Sequence, residues 1–577
     1  MRVSDLKALI LTALMAPLAG AAGAVLTAPE LSARYIVEAN TTVAAHQLVE
    51  RAGGKVEQDL EIIHGVSVRL NLAQAATLRA IPGMRVYADR AVGTASTFTT
   101  TLTDGTGVSA PTFLYQTDYP ALVGADTLQK AGITGQGVTI AILDTGLWQD
   151  YLQQYSTTTQ NGTTTRILAS IDVLNGGKGA VTGDPYGHGT HITSIAAGGA
   201  MNLFGGYLGI APKANLVIVR AFDGVGAGRY TDVIAGLNWI VTNKAKYKIR
   251  VLNLSFGAQP QSDYWDDPLN QAVMAAWKAG IVVVTAAGNE GPAPMTIGVP
   301  GNVPYVITAG AFTDNNTPYD GTDDRLASFS STGPTYEGFV KPELVAPGGH
   351  MVGSQQSTSY LANIDPGSMT VYQTLFTMSG TSQAAAVTTG VVALMLQSDP
   401  TLTPDNVKCR LMAAARPAVA STGTLAYSVF QQGAGLINAV DTVNSSATGC
   451  ANVGLDVSAD LAGTAHFGGP ANQDANGNYY LMDLGASKWG TPLTGDGFTW
   501  SRGFTWSQGF TWSKGFTWSK GFTWSKGFTW SKAATWTSGF TWSKGFTWSK
   551  TLPWWGTTGT GLTSTKPASI VTWVPNQ

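Results

Sequence analysis

Charge and cysteine are both scarce in this chain. Of its 577 residues 12% are charged and two are cysteine. Two cysteines, Cys409 and Cys450, are too few for a disulfide framework and lack metal-ligand spacing. In an oxidising compartment they could pair, closing a loop of about 40 residues worth roughly 4 kcal/mol; two unrelated thiols are the alternative. Long apolar runs are also missing. The run from Ala8 to Leu18 is too short to span a bilayer, and no other stretch is a candidate membrane helix. Acidic residues are absent from Gly497 to Lys550, which holds seven Lys or Arg. The net charge of −2 therefore leaves −9 for the remainder (−2 less +7), and only the tail invites an anionic partner.

What is present suits an exported, loop-rich protein of several domains: 44% hydrophobic residues, enough for a sizeable core, and 69 glycines. Residues 1–24 read as a signal peptide. Arg2 and Lys7 precede the apolar core, and Ala22-Gly23-Ala24 is a small-residue cleavage site. From 33 to 92 comes a small α+β unit: strand-like Arg34 to Glu38, helix-like Thr42 to Gly53, strand-like Ile62 to Leu70, a helix over Leu72 to Ile81, and Met84 to Tyr87 closing the set. The Thr-, Ser- and Gly-rich segment 93–119 reads as a linker. Then apolar strands (Val138 to Leu143, Leu216 to Arg220, Val251 to Leu254, Ile281 to Thr285, Tyr305 to Ala309) alternate with helical segments (Thr190 to Ala197, Thr231 to Thr242, Leu269 to Ala279, Ser382 to Leu396). Such alternation predicts an α/β domain over 120–445, a parallel sheet with helices on both faces and the site at the carboxyl ends of its strands.

Four stretches of that domain carry chemistry. Gly380-Thr381-Ser382-Gln383-Ala384-Ala385 places Ser382 at a helix N-terminus, where free N–H groups favour a developing negative charge. The ordinary alternative is a helix cap. Val138 to Leu143 is an apolar strand ending in Asp144, and Gly187-His188-Gly189-Thr190-His191 opens a helix. A serine hydroxyl needs a neutral imidazole to take its proton, and the imidazole needs a buried carboxylate to fix its tautomer. Asp144, His188 and Ser382 occur in the one chain order out of several that such triads adopt. Singly, Asp144 could be a strand-end cap and His188 a core histidine. The fourth stretch, Ala286-Ala287-Gly288-Asn289, ends a buried strand in an amide that could donate to an oxyanion beside the Ser382 N–H. Asn289 as a plain turn residue is the competing reading.

Together Asp-Thr-Gly, His-Gly-Thr-His, Ala-Ala-Gly-Asn and Gly-Thr-Ser-x-Ala-Ala resemble the subtilisin-type serine peptidases over roughly Ala121 to Val443. Two departures are Gln383, where relatives often carry methionine, and Ala386, where they usually carry proline; Glu343 replaces a common aspartate. The resemblance implies an endopeptidase acting on proteins or peptides, with Asp144, His188, Ser382 and Asn289 catalytic. It also implies that Ser255-Phe256-Gly257 and Ala287-Gly288 flank the substrate, and that an extended peptide binds along exposed strand edges. No charged group stands at those positions, which favours an apolar preference. Residues 33–92 resemble an inhibitory prosegment that templates folding and holds its C-terminal extension in the cleft until self-cleavage within 93–119. No cofactor is required for such chemistry. Relatives often bind structural calcium, and Asp314, Asp320, Asp323 and Asp324 form an acidic loop with suitable oxygens, although a solvated loop is the plainer reading.

Residues 446–496 read as a linker or small C-terminal extension, and 551–577 as a terminal tail. Between them, 497–550 holds nine hexapeptide units of the form Gly-Phe-Thr-Trp-Ser-Lys, one of them degenerate (Ala533 to Ser538). Extended geometry puts Phe, Trp and Lys of a unit on one face, and one unit cannot bury two aromatics alone. A basic-aromatic surface for cell envelope or polysaccharide, a self-associating β segment and a disordered tail are the three readings. Nucleic acid suits the pattern but not an exported peptidase. Secretion or display at the cell surface follows from the signal. A second hypothesis for the whole chain is a surface adhesin on an inactive peptidase-like scaffold.

Overall fold

The computed structural model describes residues 32–94 and 118–483, apart from 150–153, 160–161, 178, 202–204, 316, 318–320, 322, 370–373 and 421–424; beyond these it describes 492–493, 510–513, 540–542, 546–548 and 570–573. The signal peptide, most of the 93–119 linker, Asp320 and most of the repeat lie outside the described residues.

The N-terminal unit is a four-stranded antiparallel sheet in the order Lys55–Leu60, Gly65–Leu70, Ala33–Glu38, Arg85–Ala88, with helices Thr42–Arg51 and Leu72–Arg79. Thr41 caps the first helix, and Asn71 with Gln74 forms a capping box on the second. Val37, Val49, Val66, Val68, Leu70 and Leu78 close its core. Ile62 to Leu70 is not one strand. His64 adopts φ 55° after a short turn at Glu61–Ile63, and the strand starts at Gly65. The strand Lys55–Leu60 escapes a search for apolar alternation because it is an edge strand whose outward residues are polar.

The large domain is built on a mixed, mainly parallel sheet of eight strands among the described residues. Along the path they run Arg325–Leu326, Ile307–Thr313, Val282–Ala286, Ile249–Leu254, Thr139–Asp144, Asn215–Arg220, Ile167–Asp172, with Leu344–Pro347 pairing Ile307–Thr313. Only Arg325–Leu326 is antiparallel. Every residue of Thr139–Asp144 is buried, as expected of a strand covered on both faces. Its neighbours are Asn215–Arg220 and Ile249–Leu254, so the chain order reverses beside it, and Asp144 ends it at the switch point. The helix Thr381–Ser398 packs against this sheet and is buried from Thr381 to Leu396. It runs unbroken through Gln383 and Ala386, so the missing proline costs the helix entry nothing visible.

Residues beyond the domain continue to pack on it. Cys409 and Cys450 are joined in a disulfide, with Cα atoms 5.1 Å apart. Asn452 bonds Lys408, Asp405 and the Tyr305 carbonyl. A short helix Val457–Leu461 and the strand Ala465–Gly468 follow, and a hairpin pairs Ala471–Gln473 with Tyr479–Leu481. This stretch is therefore a folded extension as far as about residue 482.

Candidate active site

Asp144 is held at the strand end by its own main chain: Oδ1 accepts the Thr145 N–H at 2.8 Å and lies 2.7 Å from His188 Nδ1. Both side chains are essentially out of solvent. His188 opens the helix His188–Ala197, as its motif predicts, two residues ahead of the Thr190 start read from the pattern. That helix approaches the strand so closely that a Cβ on Gly189 would stand 2.4 Å from the Gly146 carbonyl oxygen. Glycine is thus required at 189 for acid and imidazole to meet. The helix start is fixed by a residue the sequence reading passed over. Asp184, itself buried, accepts from the Gly187 N–H, the Thr190 N–H and the Thr190 hydroxyl, each at 2.8 Å. An aspartate four residues ahead of His188 is the signal that could have found it.

The second histidine of the motif is differently placed. His191 Nε2 faces the Phe376 carbonyl at 3.0 Å and Nδ1 meets the Gln383 amide at 3.4 Å. Burial pulls its pKa down to about 4, so it stays neutral. With both nitrogens engaged it is a packing residue.

Ser382 is buried at the N-terminal end of its helix, and the histidine and serine helices pack on one another. Its hydroxyl donates to the Ser255 carbonyl at 3.0 Å. The Ser382–His188 hydrogen bond expected from the triad is not made in this arrangement; His188 Nε2 is buried without a hydrogen-bond partner among the described residues. Ser255 is tied in twice, since its own hydroxyl donates to the Ser382 carbonyl at 3.0 Å and accepts from Asn253 at 2.8 Å. Thr389 in turn donates to Asn253 at 2.9 Å. A buried chain of side chains thereby fixes the backbone around the nucleophile.

Asn289 follows the strand Val282–Ala286. Its Oδ1 accepts both the N–H and the hydroxyl of Thr381 at 3.0 Å, and the Gly288 N–H donates to that hydroxyl at 3.1 Å. With its carbonyl side used, the amide presents Nδ2, which has no partner among the described residues. Thr381 is a second residue that motif reading did not single out.

Phe256 and Gly257 form a short strand opposite Thr94 and Gly93. On its other edge Ala91–Thr94 pairs with Ala227–Arg229. An extended piece of the chain thus lies between two strand edges, and its last described residue, Thr94, stands opposite the neighbour of Ser255. Ala287 and Gly288 sit at the strand end beside Thr381. Of the acidic loop, Asp320 lies outside the described residues. Asp323 already accepts from Asn315 and Thr317 with its two oxygens, and among the described residues no three His, Cys, Asp or Glu side chains converge as a metal cage.

An acid–imidazole pair at a strand end, a serine at a helix start and an amide aimed beside it define a serine peptidase of subtilisin type. The chain belongs to the subtilase family, whose description matches residues 135–435. Among its relatives, the serine protease AprX of Bacillus subtilis is 40% identical over 281 residues, covering 48% of this chain and 60% of that protein. Subtilisin DY of Bacillus licheniformis is 31% identical over 324 residues, covering 55% of this chain and 94% of its own length. Among solved structures, fervidolysin of Fervidobacterium pennivorans, described as a keratinolytic enzyme related to subtilisin, shares the fold at a TM-score of 0.55 and 22% identity, over 73% of this chain and 62% of that one.

Proposed function

We propose that this protein is an exported serine endopeptidase made as a precursor that cuts itself. Rotation of the Ser382 hydroxyl from the Ser255 carbonyl to His188 Nε2 would complete the relay. His188 then takes the proton, Asp144 stabilises the imidazolium, and Ser382 attacks the peptide carbonyl. The Asn289 amide and the Ser382 N–H receive the oxyanion; His188 returns the proton to the leaving amine, and water releases the acyl-enzyme. The observation that carries this reading is the buried Asp144–His188 pair, 2.7 Å apart, with His188 Nε2 lacking a partner among the described residues. An imidazole oriented by a carboxylate through one nitrogen and open at the other is what a serine hydroxyl needs to give up its proton.

Substrate would bind as an added strand along Phe256–Gly257 and Ala227–Arg229, the edges on which residues 91–94 now lie. That placement supports the N-terminal unit as an intramolecular inhibitor. Its Asp89 carboxylate also accepts the N–H and hydroxyl of Thr231 at 3.0 and 2.9 Å, finishing the start of the helix Tyr230–Thr242. Processing is expected beyond Thr94. A fluorophosphonate probe should label Ser382, with no labelling of Ser382→Ala. Intact mass of the two proteins should show a cut beyond Thr94 only where Ser382 is present, signal-peptide removal being common to both. A folded chain that resists the probe after the N-terminal unit has gone would overturn the assignment.

A further inference from the structure

The peptidase chemistry leaves the repeat of 497–550 without a role, and the folded extension offers it a place. The strand Ala465–Gly468 is fastened to the domain. Just ahead of it, the Asp460 carboxylate accepts from Tyr264, from Tyr305 at 3.0 Å, and faces His466 Nδ1 at 2.7 Å. The His466 ring stacks on Trp265, centroids 4.7 Å apart, and Phe467 is buried. The Phe467 N–H donates to the Tyr264 hydroxyl at 3.3 Å. Peptide groups alternate in direction along a strand, so those of Ala465 and Phe467 face the domain and those of His466 and Gly468 face outward. An edge of this kind accepts another strand.

Among the described residues, the strand paired with it is Phe510–Ser513, part of one repeat unit, running antiparallel with Trp512 opposite His466 and Phe510 opposite Gly468. Two further units pair with each other in similar fashion, Phe540 opposite Trp548 and Thr541 opposite Thr547. Pairing of this sort is carried by main-chain groups, with neighbouring side chains adding preference. The chain carries Gly-Phe-Thr-Trp eight times, so the outward edge meets the same tetrapeptide in each of them.

We propose that Ala465–Gly468 is a receptor strand for a Gly-Phe-Thr-Trp unit, that the eight units are interchangeable on it, and that a unit from a second copy of the chain competes with the chain's own. Tethering favours the chain's own unit, at an effective concentration of about millimolar. Where copies crowd, exchange between them links one chain to the next without any new contact. The occupant is the repeat; this reading is independent of whether Ser382 reacts.

Hydrogen exchange of the full Ser382→Ala chain, read by mass spectrometry over 465–468, tests it. Trp512→Pro, which removes a ladder donor, should leave the protection of that strand in place because another unit takes over. Trp→Pro in all eight units should speed exchange there by at least about tenfold, while 139–144 stays protected as the control for folding. A synthetic Gly-Phe-Thr-Trp-Ser-Lys dimer at about millimolar concentration should restore protection to the eightfold variant. Unchanged exchange in the eightfold variant would overturn the receptor, as would failure of the dimer to restore protection. Loss of protection in Trp512→Pro alone would overturn interchangeability. Equal restoration by an unrelated extended peptide would make the edge a general one and sink the specificity for the repeat.

Discussion

Two buried polar clusters rest on the same sheet and differ in how fully they are satisfied. Around Glu343, Lys341 donates to the Val306 carbonyl, the Thr308 hydroxyl and Glu343, each at 3.0 Å. Lys408 reaches Glu343 at 2.8 Å, the Pro304 carbonyl at 2.7 Å and Asn452 at 3.1 Å. Glu343 also accepts the Thr308 N–H at 2.8 Å. Around His188, by contrast, an oxygen, a ring nitrogen and an amide nitrogen lack partners. Lys341, Glu343 and Lys408 are as buried as Asp144 and His188, so burial alone does not mark a site. The groups about Glu343 are paired with one another, whereas those about His188 leave an oxygen, a ring nitrogen and an amide nitrogen open, as the proposed chemistry requires.

The comparison can be broken by removing one member from each side. Ser382→Ala should lower kcat by at least about 10⁴-fold, in line with triad deletions, while the chain, keeping its N-terminal unit, stays folded. Glu343→Gln should do the reverse. It removes the counter-charge of two buried lysines, one of which, Lys341, burial already pulls down to about 7, a loss of about 3–5 kcal/mol in urea unfolding, with kcat at the temperature of the folded protein little altered. Equal urea midpoints for Ser382→Ala and for Ser382→Ala carrying Glu343→Gln would mean that the satisfied cluster contributes nothing. Asn289→Ala should reduce kcat by about 10²–10³-fold with little change in KM, the magnitude known for subtilisin itself.

The smallest effect sharpens the contrast at the N-terminal unit. Glu38 there is buried, with Oε1 lacking a partner, yet it sits outside the reacting centre. Burial pushes its carboxyl up to about 8; Asp266 and Asp267 push the same way, while Arg85 and the Tyr87 hydroxyl oppose. A carboxyl raised in the folded chain from its ordinary 4.5 supports that state fully below 4.5, and the support is lost as pH rises toward 8. Undocking of the unit, which stays attached in the Ser382→Ala chain and is followed there by fluorescence, should be favoured at least about tenfold more at pH 8 than at pH 5. Glu38→Gln should flatten that dependence; an unaltered slope would assign it elsewhere.

The catalytic neighbourhoods were legible because each is a short local pattern with a strong geometric requirement. Asp144 ends an apolar strand, His188 is bracketed by glycines, and Ser382 opens a run of small residues. Boundaries were legible to within a residue or two where periodicity was strong, as at Thr231 to Thr242 against Tyr230–Thr242. What stayed hidden depends on long-range partners. Asp184 and Thr381 matter for what they hold, and Lys55–Leu60 is a strand because Gly65–Leu70 pairs with it. The extension after Cys450 looks like polar linker because its anchors, Asn452, Asp460 and His466, are polar residues satisfied by a surface far away in the chain. The Ser382 hydroxyl's turn toward Ser255 is a rotamer choice that no sequence motif encodes.

The helix Tyr230–Thr242 has its first turn completed by Asp89, a residue on the far side of the expected cut. If the proposed cut is made and that carboxylate departs, the helix would keep a shape whose beginning its own segment does not close, as an arch stands after its centring is struck. A molecule matured in that way would endure through the height of the barrier to coming apart rather than through a balance it could re-establish. Heat that carries it over that barrier should therefore leave it inactive on cooling, and adding residues 33–94 back in trans should be what returns it.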